Sequence, residues 1–188
     1  KKKISVFIKS KNSSYNKEID GRKFPDKSIT HRAYILASQC LGISKIKGLN
    51  SDDIKTTITA LKKLGIKIIC KKKLNYVYGN GVSGFKRFRG TLNFDNSGTG
   101  ARSFLGILTC YPYKINITGD KSLKLRPFKR LTNFLENIGA KITHPKDKKV
   151  NLPIKICGTK DWALAQKHEI KIKSAQISTA IIYAALQT

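Results

Sequence analysis

The chain carries a weak copy of itself. Leu61-Lys62-Lys63-Leu64-Gly65-Ile66-Lys67-Ile68 is answered 74 residues later by Leu135-Glu136-Asn137-Ile138-Gly139-Ala140-Lys141-Ile142. In both stretches a helix runs into a glycine suited to the left-handed position after a helix end, and a strand begins at once. Helix starts made of small polar residues recur on the same period. They fall near Ser28, Thr99 and Ser174, spaced 71 and 75 residues apart. A chain with this period has to build one helix-and-strand unit more than once.

The first copy predicts a helix over 28–41, a strand at 43–48, a helix at 52–64 capped by Ser51, and strands at 66–70 and 74–78. The second predicts a helix over 99–110 and a strand at 114–118. A helix then runs from Pro127, a good first-turn residue, to Ile138, with strands at 140–143 and 153–157. A third copy only begins, with an alternating strand at 169–173 and an apolar helix over 177–186. The expected class is α/β (α+β), built from β-α-β-α-β units. Long crossovers favour parallel strand pairs, and the two helices of each unit should pack on one side of a small mixed sheet. The final apolar helix lacks a partner and the chain opens on Lys1, so the sequence reads as a fragment.

Composition bounds the function. The 188 residues, 40% of them hydrophobic, suffice for a buried core. No apolar run reaches the length of a membrane span, and the N-terminus shows no secretory apolar region. Cys40, Cys70, Cys110 and Cys157 lie far apart, so reduced thiols in a cytoplasmic protein are expected. His31, His144 and His168 show no ligand spacing, and no metal site is expected. Net charge is +27, from 38 Lys and Arg against 11 Asp and Glu. That raises nucleic acid as a partner. The lysines are scattered, however, with no Arg-rich tract and no aromatic–basic alternation of the kind that stacks bases. Nucleic-acid binding is therefore not the expected main function. A non-catalytic basic module for nucleic acid or another polyanion is the alternative reading.

The helix starts point to a different ligand. Ser51 is followed by Asp52 and Asp53, whose carboxylates satisfy the helix dipole in the ordinary way. The starts at Thr99 and Ser174 have no carboxylate in their first turn, and that at Ser28 has only Asp26 before it. Unpaired backbone N–H groups with partial positive charge attract anions, and Lys27, Arg32 and Arg102 stand close in sequence. A site for phosphates and carboxylates is expected. Arg126 belongs to the same reading, since a guanidinium grips either anion with two parallel hydrogen bonds. Its ordinary alternative is a surface pair with Asp120.

Four stretches together resemble the 5-enolpyruvylshikimate-3-phosphate synthase family. They are Phe24-Pro25-Asp26-Lys27-Ser28-Ile29-Thr30-His31-Arg32, Asn96-Ser97-Gly98-Thr99-Gly100-Ala101-Arg102, Gly119-Asp120-Lys121-Ser122-Leu123-Lys124-Leu125-Arg126-Pro127, and Ser174-Ala175-Gln176. The resemblance spans nearly the whole chain in register. It implies a two-domain enzyme, each domain made of three βαβαββ units in an inverse α/β barrel-like arrangement. This chain would supply two units and the start of a third. Residues 25–188 would be part of the N-terminal domain, residues 1–24 would form a segment crossing to the second domain, and that second domain would be absent.

The implied reaction transfers the enolpyruvyl group of phosphoenolpyruvate to the 5-hydroxyl of shikimate 3-phosphate and releases phosphate. It needs no cofactor, no membrane and no nucleic acid, and the complete enzyme would be a monomer. By position, Lys27 would contact both substrates, while Ser28 and Arg32 would hold shikimate 3-phosphate. Asn96, Gly98, Thr99 and Arg102 would form the phosphoenolpyruvate loop, with Arg126 binding the same substrate. Ser174 and Ala175 would take the shikimate phosphate, and Gln176 would span both ligands.

Two departures stand out. Pro25 replaces the family's glycine before Asp-Lys-Ser, which fixes φ and removes an N–H. The addition–elimination also needs a base for the hydroxyl and an acid for the methylene. The family's carboxylates for these roles lie in its second domain, and Asp26 and Asp120 read as caps. The fragment alone is expected to be inactive.

Overall fold

The computed structural model describes residues 6–9, 26–71, 74–159 and 174–187. The chain divides into two compact units, residues 1–86 and 87–188.

In the first unit, β1 (Val6–Lys9) is followed by α1 (Lys27–Gln39), β2 (Leu41–Ile46), α2 (Asp52–Lys63), β3 (Lys67–Lys71) and β4 (Leu74–Asn80). The sheet order is β1-β2-β4-β3, and every neighbouring pair is antiparallel. The expectation of parallel neighbours fails here for a topological reason. The strands β2 and β3, joined across α2, do run in the same direction, because both are antiparallel to β4. The β3–β4 hairpin folds back and inserts β4 between them. Inward residues alternate along the strands as period two requires: Ser44 and Ile46, Ile68, and Val77 are buried. Tyr34 and Ile35 of α1 and Ile54 and Leu61 of α2 are also nearly inaccessible to solvent, and belong to the same unit's core.

In the second unit, β5 (Gly90–Asn93), α3 (Gly98–Ile107), a 3-10 turn (Leu108–Cys110) and β6 (Lys114–Thr118) are followed by α4 (Lys121–Leu125), α5 (Lys129–Asn137), β7 (Lys141–Thr143), β8 (Ile154–Cys157) and α6 (Ala175–Ala185). The sheet order is β5-β6-β8-β7, the same arrangement as in the first unit. Here β5 and β6 are parallel across α3, and the other pairs are antiparallel. Phe94 and Phe104 pack with ring centroids 4.9 Å apart, and Ile117, Leu123 and Ile154 are buried in the same unit.

The two glycines of the repeat do what their sequence context requires. Gly65 and Gly139 have φ of +88° and +109°, each ending a helix and turning directly into a strand. One expectation is corrected, and one element is new. No helix starts at Pro127: α4 occupies 121–125, and α5 begins at Lys129 behind Phe128. The strand β5 was not foreseen. The expected strand at 169–173 and the loop around Pro25 lie outside the described residues, as does most of the segment 1–24. Its described part, β1, pairs with β2.

Candidate functional site

In the second unit the expected residues come together around the start of α3. Ser97 caps the helix, its hydroxyl accepting from the Gly100 N–H at 3.2 Å, and no acid lies in the first turn. Gly98 is buried, and its missing side chain matters. A Cβ there would stand 2.8 Å from Arg102 Nη1 and 3.1 Å from Arg126 Nη1. Glycine thus lets two guanidiniums close on one point of backbone.

Each guanidinium is fixed by neutral acceptors. Arg102 donates from Nη1 to Gln176 Oε1 at 2.7 Å and to Gly98 O at 3.4 Å, and from Nη2 to Pro127 O at 3.0 Å. Its guanidinium carbon lies 4.6 Å from the Phe128 ring centroid, a cation–π contact. Arg126 donates from Nη2 to Asn96 Oδ1. Among the described residues, no carboxylate lies within ion-pair distance of either arginine. Burial, and then the charge of Arg126, pull the Arg102 pKa down. Two adjacent cations held only by neutral oxygens favour a doubly charged anion between them.

The helix α6 completes the cluster. Ser174 caps it, accepting from the Ile177 N–H at 3.4 Å, again with no acid in the first turn. Gln176, besides accepting from Arg102, donates from Nε2 to Thr99 Oγ1 at 3.2 Å. The first turns of α3 and α6 are therefore bridged by one side chain, and Ala175 is exposed beside it. The two helices approach closely because of Gly106, where a Cβ would fall 2.1 Å from Ala180 O.

Arg126 is positioned by the short α4. Asp120 caps it, accepting from the Leu123 N–H at 2.7 Å, so the alternative of an Arg126–Asp120 surface pair is not what forms. Asn151 holds the other end, donating its backbone N–H to Lys124 O at 2.6 Å. Arg126 is the residue after α4 and not the one before a helix, which corrects the expectation.

In the first unit, α1 differs from α3 and α6. Asp26 is its cap, its carboxylate accepting from the Ile29 N–H at 2.6 Å, so this helix start is already served by an acid. Lys27 is engaged too, in an ion pair with Asp53 of α2. The expectation that Asp53 merely serves its own helix dipole is thus incomplete. Ser28 and Arg32 are partly exposed one helical turn apart, on one face. His31, fully buried, has Nδ1 2.7 Å from Thr57 Oγ1. Burial lowers its pKa to about 4, with Lys27 and Arg32 acting in the same direction and Asp53 against. Sequence reasoning missed Phe128, Asn151 and Asp53. All three act across turns that no local pattern reports.

Two arginines and the acid-free starts of α3 and α6 thus gather around Gly98 as a cationic cluster on a mixed α/β fold. The family pattern of EPSP synthase (3-phosphoshikimate 1-carboxyvinyltransferase) matches residues 13–188, and the chain belongs to that family. It is 42% identical over 173 residues to the 3-phosphoshikimate 1-carboxyvinyltransferase of Sulfurihydrogenibium sp. (strain YO3AOP1), covering 90% of this chain and 39% of that protein. It is 35% identical over 164 residues to the enzyme of the same name from Streptococcus agalactiae, covering 87% and 38%. The EPSP synthase of Acinetobacter baumannii superposes with a TM-score of 0.79 at 28% identity, over 85% of this chain and 36% of that one. The chain spans about two-fifths of the length of the curated relatives it matches. Among the described residues no helix is long and apolar enough to cross a membrane.

Proposed function

We propose that this chain supplies substrate-binding groups for transfer of the enolpyruvyl group from phosphoenolpyruvate to the 5-hydroxyl of shikimate 3-phosphate, with release of phosphate, in the cytoplasm. The observation that carries this reading is the pair Arg102 and Arg126 at Gly98, with no carboxylate at ion-pair distance among the described residues. Phosphoenolpyruvate brings a phosphate and a carboxylate to that pair. The loop Asn96–Thr99 shapes its seat, and the amide-lined starts of α3 and α6 add partial positive charge. Ser174 and Ala175 serve the phosphate of the second substrate, and Gln176 orients both ligands. From the first unit, Ser28 and Arg32 bind shikimate 3-phosphate, Arg32 through its carboxylate, and Lys27 contributes a further cation.

Turnover needs a base and an acid that these residues do not offer. Asp26 and Asp120 cap helices, Asp53 pairs with Lys27, Asp52 with Lys55, and Asp95 accepts from Asn93. We therefore assign residues 25–188 to binding, within one domain of a two-domain enzyme. The test is thermal unfolding of the chain with phosphoenolpyruvate, with shikimate 3-phosphate and with both. Ligand-dependent stabilisation that Arg126→Ala removes is the expected result. No shift with either compound at millimolar concentration, or steady phosphate release by the chain alone, contradicts the proposal.

A further inference from the structure

The first unit turns one face of its sheet toward its helices and the other outward. Register places the outward residues side by side: Ile43 opposite Tyr78, Lys45 opposite Tyr76, Lys67 opposite Tyr78, and Ile69 opposite Tyr76. Directly paired residues of an antiparallel sheet share a face. Lys45, Lys67 and Lys71 are exposed, and Tyr76 and Tyr78 are partly so. Their ammonium groups hover over the two rings. Lys67 Nζ lies 5.0 Å from the Tyr78 centroid, while Lys71 and Lys45 lie 5.9 and 6.0 Å from that of Tyr76. The strands β2, β3 and β4 contain no Asp or Glu. The acids in the described part of this unit, Asp26, Asp52 and Asp53, all stand at helix N-termini. The register thus interleaves aromatic and basic residues across the three strands.

We propose that this outer face binds single-stranded nucleic acid. Unpaired bases offer flat π-faces to Tyr76 and Tyr78, which sit two residues apart on one strand, about 6.8 Å. The three lysines, carried on flexible stems, leave the ring faces and take backbone phosphates as bases stack. Ile43 and Ile69 extend the apolar floor beside the rings. A duplex keeps its base faces covered by its own stacking, so it meets only the lysines. The net charge of +27 supplies long-range attraction, and the sheet face supplies the place. None of these residues is among those assigned to substrate, so either reading can fail without the other.

Fluorescence anisotropy of the full chain with a labelled oligouridylate, the matching oligodeoxythymidylate and a duplex of equal length tests the proposal. Single strands are expected to bind at least about tenfold more tightly than the duplex at low salt. Tyr76→Val with Tyr78→Val, which keeps β-branched strand formers, should weaken single-strand binding about tenfold or more, while Tyr76→Phe with Tyr78→Phe retains it. Replacing Lys45, Lys67 and Lys71 by Gln should reduce the log–log salt slope by about 2. Circular dichroism confirms that each variant is folded. Equal affinity for duplex and single strand that the valine variant leaves unchanged would mean diffuse charge, and would overturn the proposal. So would preferential capture by phosphatidylserine vesicles over the oligonucleotides, or no binding at low salt.

Discussion

Arg102 and Arg126 converge on the same vacancy: the place where a side chain of residue 98 would begin lies 2.8 Å from one guanidinium and 3.1 Å from the other. Gly98→Ala must therefore push at least one arginine aside. The displaced group is a flexible side-chain end, so the fold should survive, with a change in unfolding free energy within about 1 kcal/mol. Affinity for phosphoenolpyruvate should fall about tenfold or more, since the paired cations lose their common focus. Calorimetric titration of the variant against the parent chain measures this, and unchanged affinity would remove Gly98 from the site.

Arg102→Lys keeps the charge and loses the geometry. A lysine cannot reach Gln176, Gly98 and Pro127 together, and it offers no guanidinium to the Phe128 ring. A stability loss of about 1–2 kcal/mol is expected in urea unfolding, together with weaker anion binding. A variant as stable as the parent would mean that these contacts contribute little.

Asp53→Asn should free Lys27. The ion pair it breaks is partly exposed, so stability should change by less than about 1 kcal/mol. If Lys27 holds substrate, affinity for shikimate 3-phosphate should rise by up to about fivefold, because the ammonium no longer has a competing partner. A fall in affinity on titration would show that Asp53 positions Lys27 for the ligand.

His31 gives the first unit a pH dependence. Its folded-state pKa is about 4, against 6.5 for the free side chain. Between these values the unfolded chain binds the proton and the folded chain does not, so stability is lost as pH falls from about 6.5 toward 4 and levels off below. A shift of that size corresponds to roughly 3 kcal/mol when fully developed. Urea midpoints measured across that range should fall for the parent and fall less for His31→Gln, which keeps a polar group facing Thr57. Parallel curves for the two chains would assign the loss to other groups.

Gly106→Ala places a methyl group 2.1 Å from Ala180 O, a backbone atom that cannot step aside. The helices α3 and α6 must separate, at a cost of about 1–3 kcal/mol. Gln176 should then lose its reach to Arg102 or Thr99. A lowered melting temperature with reduced stabilisation by phosphoenolpyruvate is expected, and unaltered values of both would contradict the close approach.

The helices were legible in the sequence because caps and apolar periodicity are local signals. Ser51 caps as expected, the start expected near Ser174 is capped by that residue, and Gly65 and Gly139 end their helices with positive φ, while the start expected near Thr99 is capped two residues earlier, by Ser97. The candidate residues of the second unit were legible as motif members, and the structure does bring Asn96, Gly98, Thr99, Arg102, Arg126 and Gln176 into mutual contact. What was not legible depends on pairing at a distance. The sequence of β4 does not say that it will lie between β2 and β3. The five residues of α4 are too short for periodicity to register, and Pro127 offered a plausible helix start that Phe128 and Lys129 displaced. The engagement of Lys27 by Asp53 is likewise a contact between two helices, invisible from either alone.

The insertion of β4 between β2 and β3 also fixes an order of events. Until the ribosome has released residues as far as Asn80, β2 has no neighbour on that side and β3 has nothing to hydrogen-bond. Assembly of the first sheet is thus gated by its last strand, and a nascent chain arrested before that point should stay protease-sensitive, whatever helices it has already formed.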